Sequence, residues 1–341
     1  MVRVLIADDS ELVRTVLRDL LARDPDIEVV AEVADGHRAV AETCRLRPDL
    51  VIMDIVMPVM DGLDAVMEIM ATCPTPILVL SGNVDPQDCR SAFNAIRLGA
   101  LDVMEKPVGV LADGYSLVGG SLIDRVKALA RVKVIHHYRR RAPQPVAPAP
   151  AFKGVRRILA IGASTGGPKV VMRLMRELPS DLDARVVIVQ HIATGFAPGF
   201  AEWLDRESGY SVRIAKDGMT LERGVALVAP NGQHMEVRDE RIALTSAPPL
   251  NSCRPAVDAL FSSLARPGVA AQVAAVLLTG MGRDGAEGMA ALKQHGAATI
   301  AQDEASCTVF GMPKAAIDLG AVDQTLTVAD IPAAVTRLFR P

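Results

Sequence analysis

Residues 157–168 read Arg-Ile-Leu-Ala-Ile-Gly-Ala-Ser-Thr-Gly-Gly-Pro, an apolar strand of the buried type that ends in a glycine-flanked serine and turns at once into a helix. A strand that hands over to a helix in this way belongs to an α/β layout with a parallel sheet. Side chains at the C-terminal end of such a strand stand where open α/β sheets place their chemistry. Ser164 occupies that position.

Two readings of the turn stand side by side. Ser164 is a candidate nucleophile, because the helix N-terminus behind it favours developing negative charge. Alternatively, Gly162, Gly166 and Gly167 form a phosphate cradle, since glycine-rich strand-to-helix turns bind nucleotides through backbone N–H groups. Other residues weigh against the cradle. No lysine follows the glycines in the P-loop manner, and the next strand, residues 184–191, ends in Gln190-His191 rather than in an acid that would hold a ribose.

His191 ends a strand that can neighbour the one carrying Ser164. A third strand, residues 273–279, runs into Gly280-Met-Gly-Arg-Asp284-Gly, again a glycine-rich helix start. Asp284 has an ordinary explanation as well: Asp284-Gly-Ala-Glu287 has the form of a capping box. Yet three strand ends offering Ser, His and Asp are the set that a triad needs. The hydroxyl attacks, the imidazole takes and returns its proton, and the carboxylate fixes the tautomer.

The N-terminal portion alternates strands and helices: strands at residues 2–7, 29–32, 50–53, 77–80 and 100–104, with a helix from about Glu11. That alternation predicts a doubly wound parallel sheet. Its acids fall at strand ends, Asp8-Asp9 after the first and Asp54 after the third, and two carboxylates with a backbone carbonyl suffice for Mg²⁺ when a phosphoryl group completes the shell. Ser81 and Lys106 reach the same edge, where a hydroxyl and an ammonium can hold phosphoryl oxygens. Singly, Asp9-Ser10 is also readable as a helix cap and Asp61-Gly62 as a turn.

Taken together, these motifs resemble two known families. Residues 162–168 (GASTGGP), Gln190-His191, 229–235 (APNGQHM), 254–258 (RPAVD), 279–285 (TGMGRDG) and 302–316 (QDEASCTVFGMPKAA) stand in the order of the chemotaxis protein-glutamate methylesterases. That resemblance implies a Ser164, His191, Asp284 triad, with the Met281 N–H contributing to the oxyanion hole. Residues 1–127 resemble the receiver domain of two-component response regulators. This implies Asp54 as phospho-acceptor, Asp8, Asp9, Asp54 and the Val56 carbonyl as the Mg²⁺ site, Ser81 and Lys106 as phosphoryl contacts, and Lys106-Pro107 as a cis pair. The last strand, Leu101-Asp-Val-Met104, lacks the aromatic that often reports phosphorylation in receivers.

With 341 residues the chain exceeds the usual single domain, and it divides by pattern into a receiver (1–127), a linker (128–152) and a catalytic domain (153–341). Residues 139–150 are too rich in proline to pack and favour extended, semi-stiff chain. The stretch before them, with His136 and His137, reads as a solvated helix end rather than a basic or metal-binding patch. The expected fold class is α/β with two doubly wound parallel-sheet domains: an N-terminal flavodoxin-like receiver and a C-terminal Rossmann-like esterase. Strands near residues 225–229, 234–237 and 241–245 add an antiparallel hairpin at one edge.

Composition narrows the partners. A formal charge of −3 implies no nucleic-acid partner, no apolar run is long enough to span a bilayer, and Met1 enters a strand without signal-peptide features. Five cysteines without paired spacing predict reduced thiols and a cytoplasmic protein, with Cys44, Cys73 and Cys89 as packing and Cys253 and Cys307 as structural residues. The resemblance implies demethylation of glutamate methyl esters on the cytoplasmic region of a chemoreceptor, with glutamine deamidation by the same route. It further implies phosphate supplied by a chemotaxis histidine kinase, and no cofactor for the esterase. Two rivals are a second domain that only binds, and a hydrolase acting on a different ester.

Overall fold

The structure is a computed structural model that describes residues 1–82, 86–107, 115–132 and 156–340. The proline-rich residues 139–150, His136 and His137 lie outside the described residues, as does all of the expected linker beyond 132. The chain forms two compact units, Met1–Arg140 and Arg141–Pro341.

In the first unit the strands β1 (Val2–Ala7), β2 (Ile27–Val33), β3 (Leu50–Asp54), β4 (Ile77–Ser81) and β5 (Asp102–Glu105) alternate with the helices α1 (Glu11–Leu21), α2 (Gly36–Leu46), α3 (Gly62–Thr72), α4 (Pro86–Leu98) and α5 (Tyr115–Leu129). The strands are all parallel, in the order β2-β1-β3-β4-β5. This is the flavodoxin-like arrangement, whose strand order reverses between β1 and β3 and opens a crevice at their C-terminal ends. Every residue of β3 and β4 is buried, as the apolar runs require once helices cover both faces. Ser10 and Asp61 are both helix N-caps, accepting from the N–H of Val13 and Asp64.

Two expectations are corrected here. Cys44 and Cys73 are not reduced packing residues: α2 and α3 lie side by side, bring their Cα atoms to 5.4 Å, and the two sulfurs form a disulfide. Cys89, Cys253 and Cys307 are free thiols. The cis proline bond among the described residues is Arg254–Pro255, and not Lys106–Pro107.

The second unit carries β6 (Ile158–Ala163), α6 (Gly167–Glu177), β7 (Arg185–Gln190), α7 (Ala197–Glu207), β8 (Ser211–Ile214), β9 (Val225–Val228), β10 (His234–Arg238), β11 (Arg241–Thr245), α8 (Val257–Leu264), β12 (Val273–Leu277), α9 (Ala286–Gln294), β13 (Ala298–Gln302), α10 (Met312–Asp318), β14 (Gln324–Leu326) and α11 (Ile331–Phe339). Seven strands form one parallel sheet, β14-β13-β12-β6-β7-β9-β8. The expected hairpin is present, and it is a separate two-stranded ribbon, β10-β11, with Arg238 opposite Arg241. It is fastened to α8 by the Val237 N–H, which donates to Ser263 Oγ at 2.9 Å.

Register does the work of placing the second site. Ala163 pairs with Gln190 and Gly162 with Leu277, so β12, β6 and β7 are adjacent and end nearly level. The residues just beyond those ends are Ser164, His191 and the turn from Leu278 to Asp284.

Candidate functional site

Ser164 is held by backbone on both sides. Its N–H donates to the Thr279 carbonyl at 3.0 Å, and its own carbonyl accepts from Gln190 Nε2 at 2.8 Å. Gln190 Nε2 also donates to the His191 carbonyl at 2.9 Å, so one buried amide ties the two strand ends together. Opposite Ser164 runs the turn from Gly280. A Cβ on Gly280 would stand 2.7 Å from Ser164 Cβ and overlap Met312 Sδ, so only glycine permits this approach. Among the described residues the Met281 N–H, which follows in the same turn, meets no backbone acceptor.

His191 and Asp284 meet directly: Nε2 and Oδ2 are 2.9 Å apart. Asp284 is 2% exposed and also accepts from the N–H of Val257 at 2.6 Å, the N–H of Asp258 at 3.1 Å and Asn251 Nδ2 at 3.1 Å. The carboxylate therefore caps a helix, but the helix is α8 and not its own. Glu287 pairs with Arg283 instead of closing a capping box. In return Asp258 Oδ1 accepts the Gly288 N–H of α9 at 2.7 Å. Burial disfavours a charged Asp284, but the His191 bond and the α8 N–H groups outweigh it and hold its carboxyl below the usual range. Burial raises the Asp258 carboxyl, and the neighbouring Asp284 charge adds to the shift.

The second ring nitrogen, Nδ1, faces Cys253 Sγ at 3.6 Å rather than Ser164. Burial works against charge on His191, yet the bond to Asp284 and the facing Cys253 prevail and hold the ring at about 9. A carboxylate on Nε2 accepts a proton, so Nε2 carries the hydrogen and Nδ1 is the nitrogen able to act as base.

Residues farther out brace these groups. Gln302 Oε1 accepts the Thr279 N–H at 2.8 Å, and Thr279 Oγ1 donates to the Thr165 carbonyl at 3.0 Å. Asn231 Oδ1 accepts the Gly195 N–H at 3.1 Å and its Nδ2 donates to the Ile192 carbonyl at 3.2 Å, fixing the loop after His191. His234 accepts the Ala256 N–H at 3.1 Å and contacts the Pro248 carbonyl at 3.0 Å, which holds the loop bearing Asn251 and Cys253. Neither Asn251 nor Cys253 stands at a strand end, and no spacing in the sequence marks them.

In the first unit, Lys106 Nζ lies 2.8 Å from Asp8 Oδ2 and 2.8 Å from Asp54 Oδ2. Asp8 and Asp54 are buried and Asp9 is exposed, and oxygens of all three lie within 4.8 Å of one another. Burial raises the Asp54 carboxyl, the Asp8 charge adds to this, and Lys106 opposes it. Burial disfavours charge on Lys106, but Asp54 and Asp8 outweigh it and carry the ammonium above its usual range. Ser81 ends β4 and is buried, while Val56, two residues past Asp54, is 64% exposed. The three hard oxygen donors of Asp8, Asp9 and Asp54 fit Mg²⁺.

Comparison with known proteins adds to this geometry. Residues 159–335 match the family described as CheB methylesterase, and residues 4–111 match the response regulator receiver domain. The chain is 46% identical to protein-glutamate methylesterase/protein-glutamine glutaminase 2 of Anaeromyxobacter dehalogenans, covering 99% of this chain and 97% of that one. It is 46% identical to protein-glutamate methylesterase/protein-glutamine glutaminase 4 of Geobacter metallireducens, covering 99% of both. The crystal structure of the Thermotoga maritima CheB methylesterase catalytic domain is 35% identical, with a TM-score of 0.51 over 54% of this chain and 98% of that one.

Proposed function

Because the chain belongs to the CheB methylesterase family, we propose that it is a phosphorylation-activated protein-glutamate methylesterase and protein-glutamine glutaminase that works by a Ser164-His191-Asp284 mechanism. It is a carboxylic ester hydrolase with a receiver domain. The proposed division is a receiver at residues 1–127, a linker at 128–152 and a catalytic domain at 153–341. The observation that carries the mechanism is the 2.9 Å contact of His191 with Asp284 beside the strand end that presents Ser164.

Ser164 Oγ attacks the glutamyl ester carbonyl as His191 Nδ1 accepts its proton, for which the hydroxyl takes the place of the Cys253 thiol at that nitrogen. Hydrogen bonds of this kind are often long or absent before substrate binds. Asp284 keeps the second proton on Nε2 and stabilises the imidazolium. The Met281 N–H and the start of α6 receive the oxyanion, and one such donor is worth about 3 to 4 kcal/mol of barrier. Methanol leaves with the proton from His191, or ammonia does when glutamine is the substrate. Water then opens the acyl-enzyme by the same proton route.

The receiver accepts a phosphoryl group on Asp54 from a chemotaxis histidine kinase. Asp8, Asp9, Asp54 and the Val56 carbonyl would hold Mg²⁺, which supplies counter-charge to phosphoryl oxygens when bound. Lys106 and Ser81 hold the remaining phosphoryl oxygens. The substrate is the cytoplasmic region of a chemoreceptor, and the protein works in the cytoplasm; among the described residues no helix is long and apolar enough to cross a membrane. Methanol release from methylated receptor membranes, measured with and without a small-molecule phosphodonor and Mg²⁺, tests this reading. Release that rises with the phosphodonor is expected, and no release under either condition would overturn it.

A further inference from the structure

We propose that Cys253 and His191 form a binding site for a thiophilic divalent metal, zinc above all, and that the metal switches the esterase off. The inhibitory part rests on the reading of His191 as the base. Three features carry it.

The first is distance. Zinc binds sulfur at about 2.3 Å and imidazole nitrogen at about 2.0 Å, so a tetrahedral ion holds two such atoms about 3.5 Å apart. Cys253 Sγ and His191 Nδ1 are 3.6 Å apart with nothing rearranged. The second is what stands behind the imidazole. Metal-binding histidines donate their other N–H to a carboxylate, which fixes the ring and raises its basicity. Asp284 Oδ2 does this at Nε2, and Asp284 is itself fixed by the α8 N–H groups and Asn251. The third is access: Cys253 is half-buried and the His191 side chain is 12% exposed, so an ion can enter and water can fill the remaining positions.

Sulfur beside imidazole selects zinc over Mg²⁺, which keeps to the oxygen site of the receiver. Binding needs no redox step. Below the ring's raised value the Cys253 thiol and the imidazolium Nδ1 each give a proton to solvent while Nε2 keeps its own for Asp284; the sulfur and the freed Nδ1 lone pair then bond to the metal, and bound water is released. That lone pair is the one that must accept the Ser164 proton, so hydrolysis and metal binding exclude each other. The loop from Leu250 to Cys253, closed by paired backbone bonds and carrying positive φ at Asn251 and Ser252, thus aims one side chain at the base and another at its carboxylate.

The test uses the full chain with Co²⁺ and Zn²⁺ as probes. Co²⁺ should give a near-ultraviolet thiolate charge-transfer band, displaced by Zn²⁺ and absent in Cys253→Ala and in the isosteric Cys253→Ser. The oxygen site of the receiver cannot produce that band. Zn²⁺ should block methanol release from methylated receptor membranes, with recovery on adding chelator. Each variant, scaled to its own metal-free rate, should need at least about 100-fold more Zn²⁺ for half-inhibition, since even an outer partner of a metal ligand is worth 10- to 100-fold. A missing band, or one kept by both folded variants, overturns the site. A Cys253-dependent band with hydrolysis unaffected overturns the inhibition and counts against His191 as base, leaving the metal site in place.

Discussion

Asp284 and Asp258 cap each other's helices. Asp284, just before α9, accepts the N–H of Val257 and Asp258 at the start of α8, and Asp258, in α8, accepts the Gly288 N–H of α9. The acid that orients His191 is thereby anchored to two helices at once. The proposed catalytic geometry and the local stability share the same atoms.

Asp284→Ala should consequently show two effects. Losing a cap costs about 1 kcal/mol and up to about 2, and losing the carboxylate behind a catalytic histidine costs on the order of 10⁴ in rate. Denaturant melts and methanol release on the same preparation separate them. Asp258→Ala should lose comparable stability with a much smaller loss of rate, because it does not touch the imidazole.

The fold class was legible in the sequence, since unbroken apolar runs followed by glycine or acid leave little but a doubly wound parallel sheet. Ser164, His191 and Asp284 were also legible as strand-end residues, and their adjacency follows from β12, β6 and β7 being neighbours. The role of Asp284 as a cap for α8 was not, because its partners lie 26 and 27 positions away. Cys253 was read as structural because no strand leads into it; only the folded loop brings it to Nδ1. Likewise nothing in the spacing of Cys44 and Cys73 announces that α2 and α3 pack them together.

A pH dependence follows from the ring of His191, held at about 9. The base must be neutral to accept a proton, and a raised value keeps the ring protonated at pH 7. In metal-free buffer kcat/KM should therefore climb with pH through the range up to about 9 and then level. Replacing the facing thiol in Cys253→Ala should move that climb to lower pH. A flat profile between pH 7 and 9 would contradict the assignment of His191.

Phosphorylation should require both Asp54 and Mg²⁺. Wild-type protein with a phosphodonor and Mg²⁺ should gain label that hydroxylamine releases, as an acyl phosphate demands, whereas Asp54→Asn or chelation should abolish it. Label retained in Asp54→Asn would place the acceptor elsewhere. Lys106→Ala should free the Asp8 and Asp54 carboxylates of their shared cation and weaken the retention of phosphate.

The proposed control of the esterase by the receiver would need only a modest energy. A tethered domain has a high effective concentration, and a few kcal/mol of differential stability moves a two-state equilibrium from mostly closed to mostly open. The fragment 152–341 should then hydrolyse methylated receptor faster than the unphosphorylated full chain, and a phosphodonor should narrow the gap for the full chain alone. Equal rates for the two unphosphorylated proteins would exclude inhibition by occlusion, and a slower fragment would point to activating contacts.

The most direct measurement is methanol release from methylated receptor membranes by Ser164→Ala beside the wild type, with melting curves to establish that both are folded. Since the proposed nucleophile and base would act as one unit, the variant should lose on the order of 10⁴-fold or more of the rate, and His191→Ala should lose about as much. Folded Ser164→Ala protein that released methanol at the wild-type rate would contradict the serine mechanism outright.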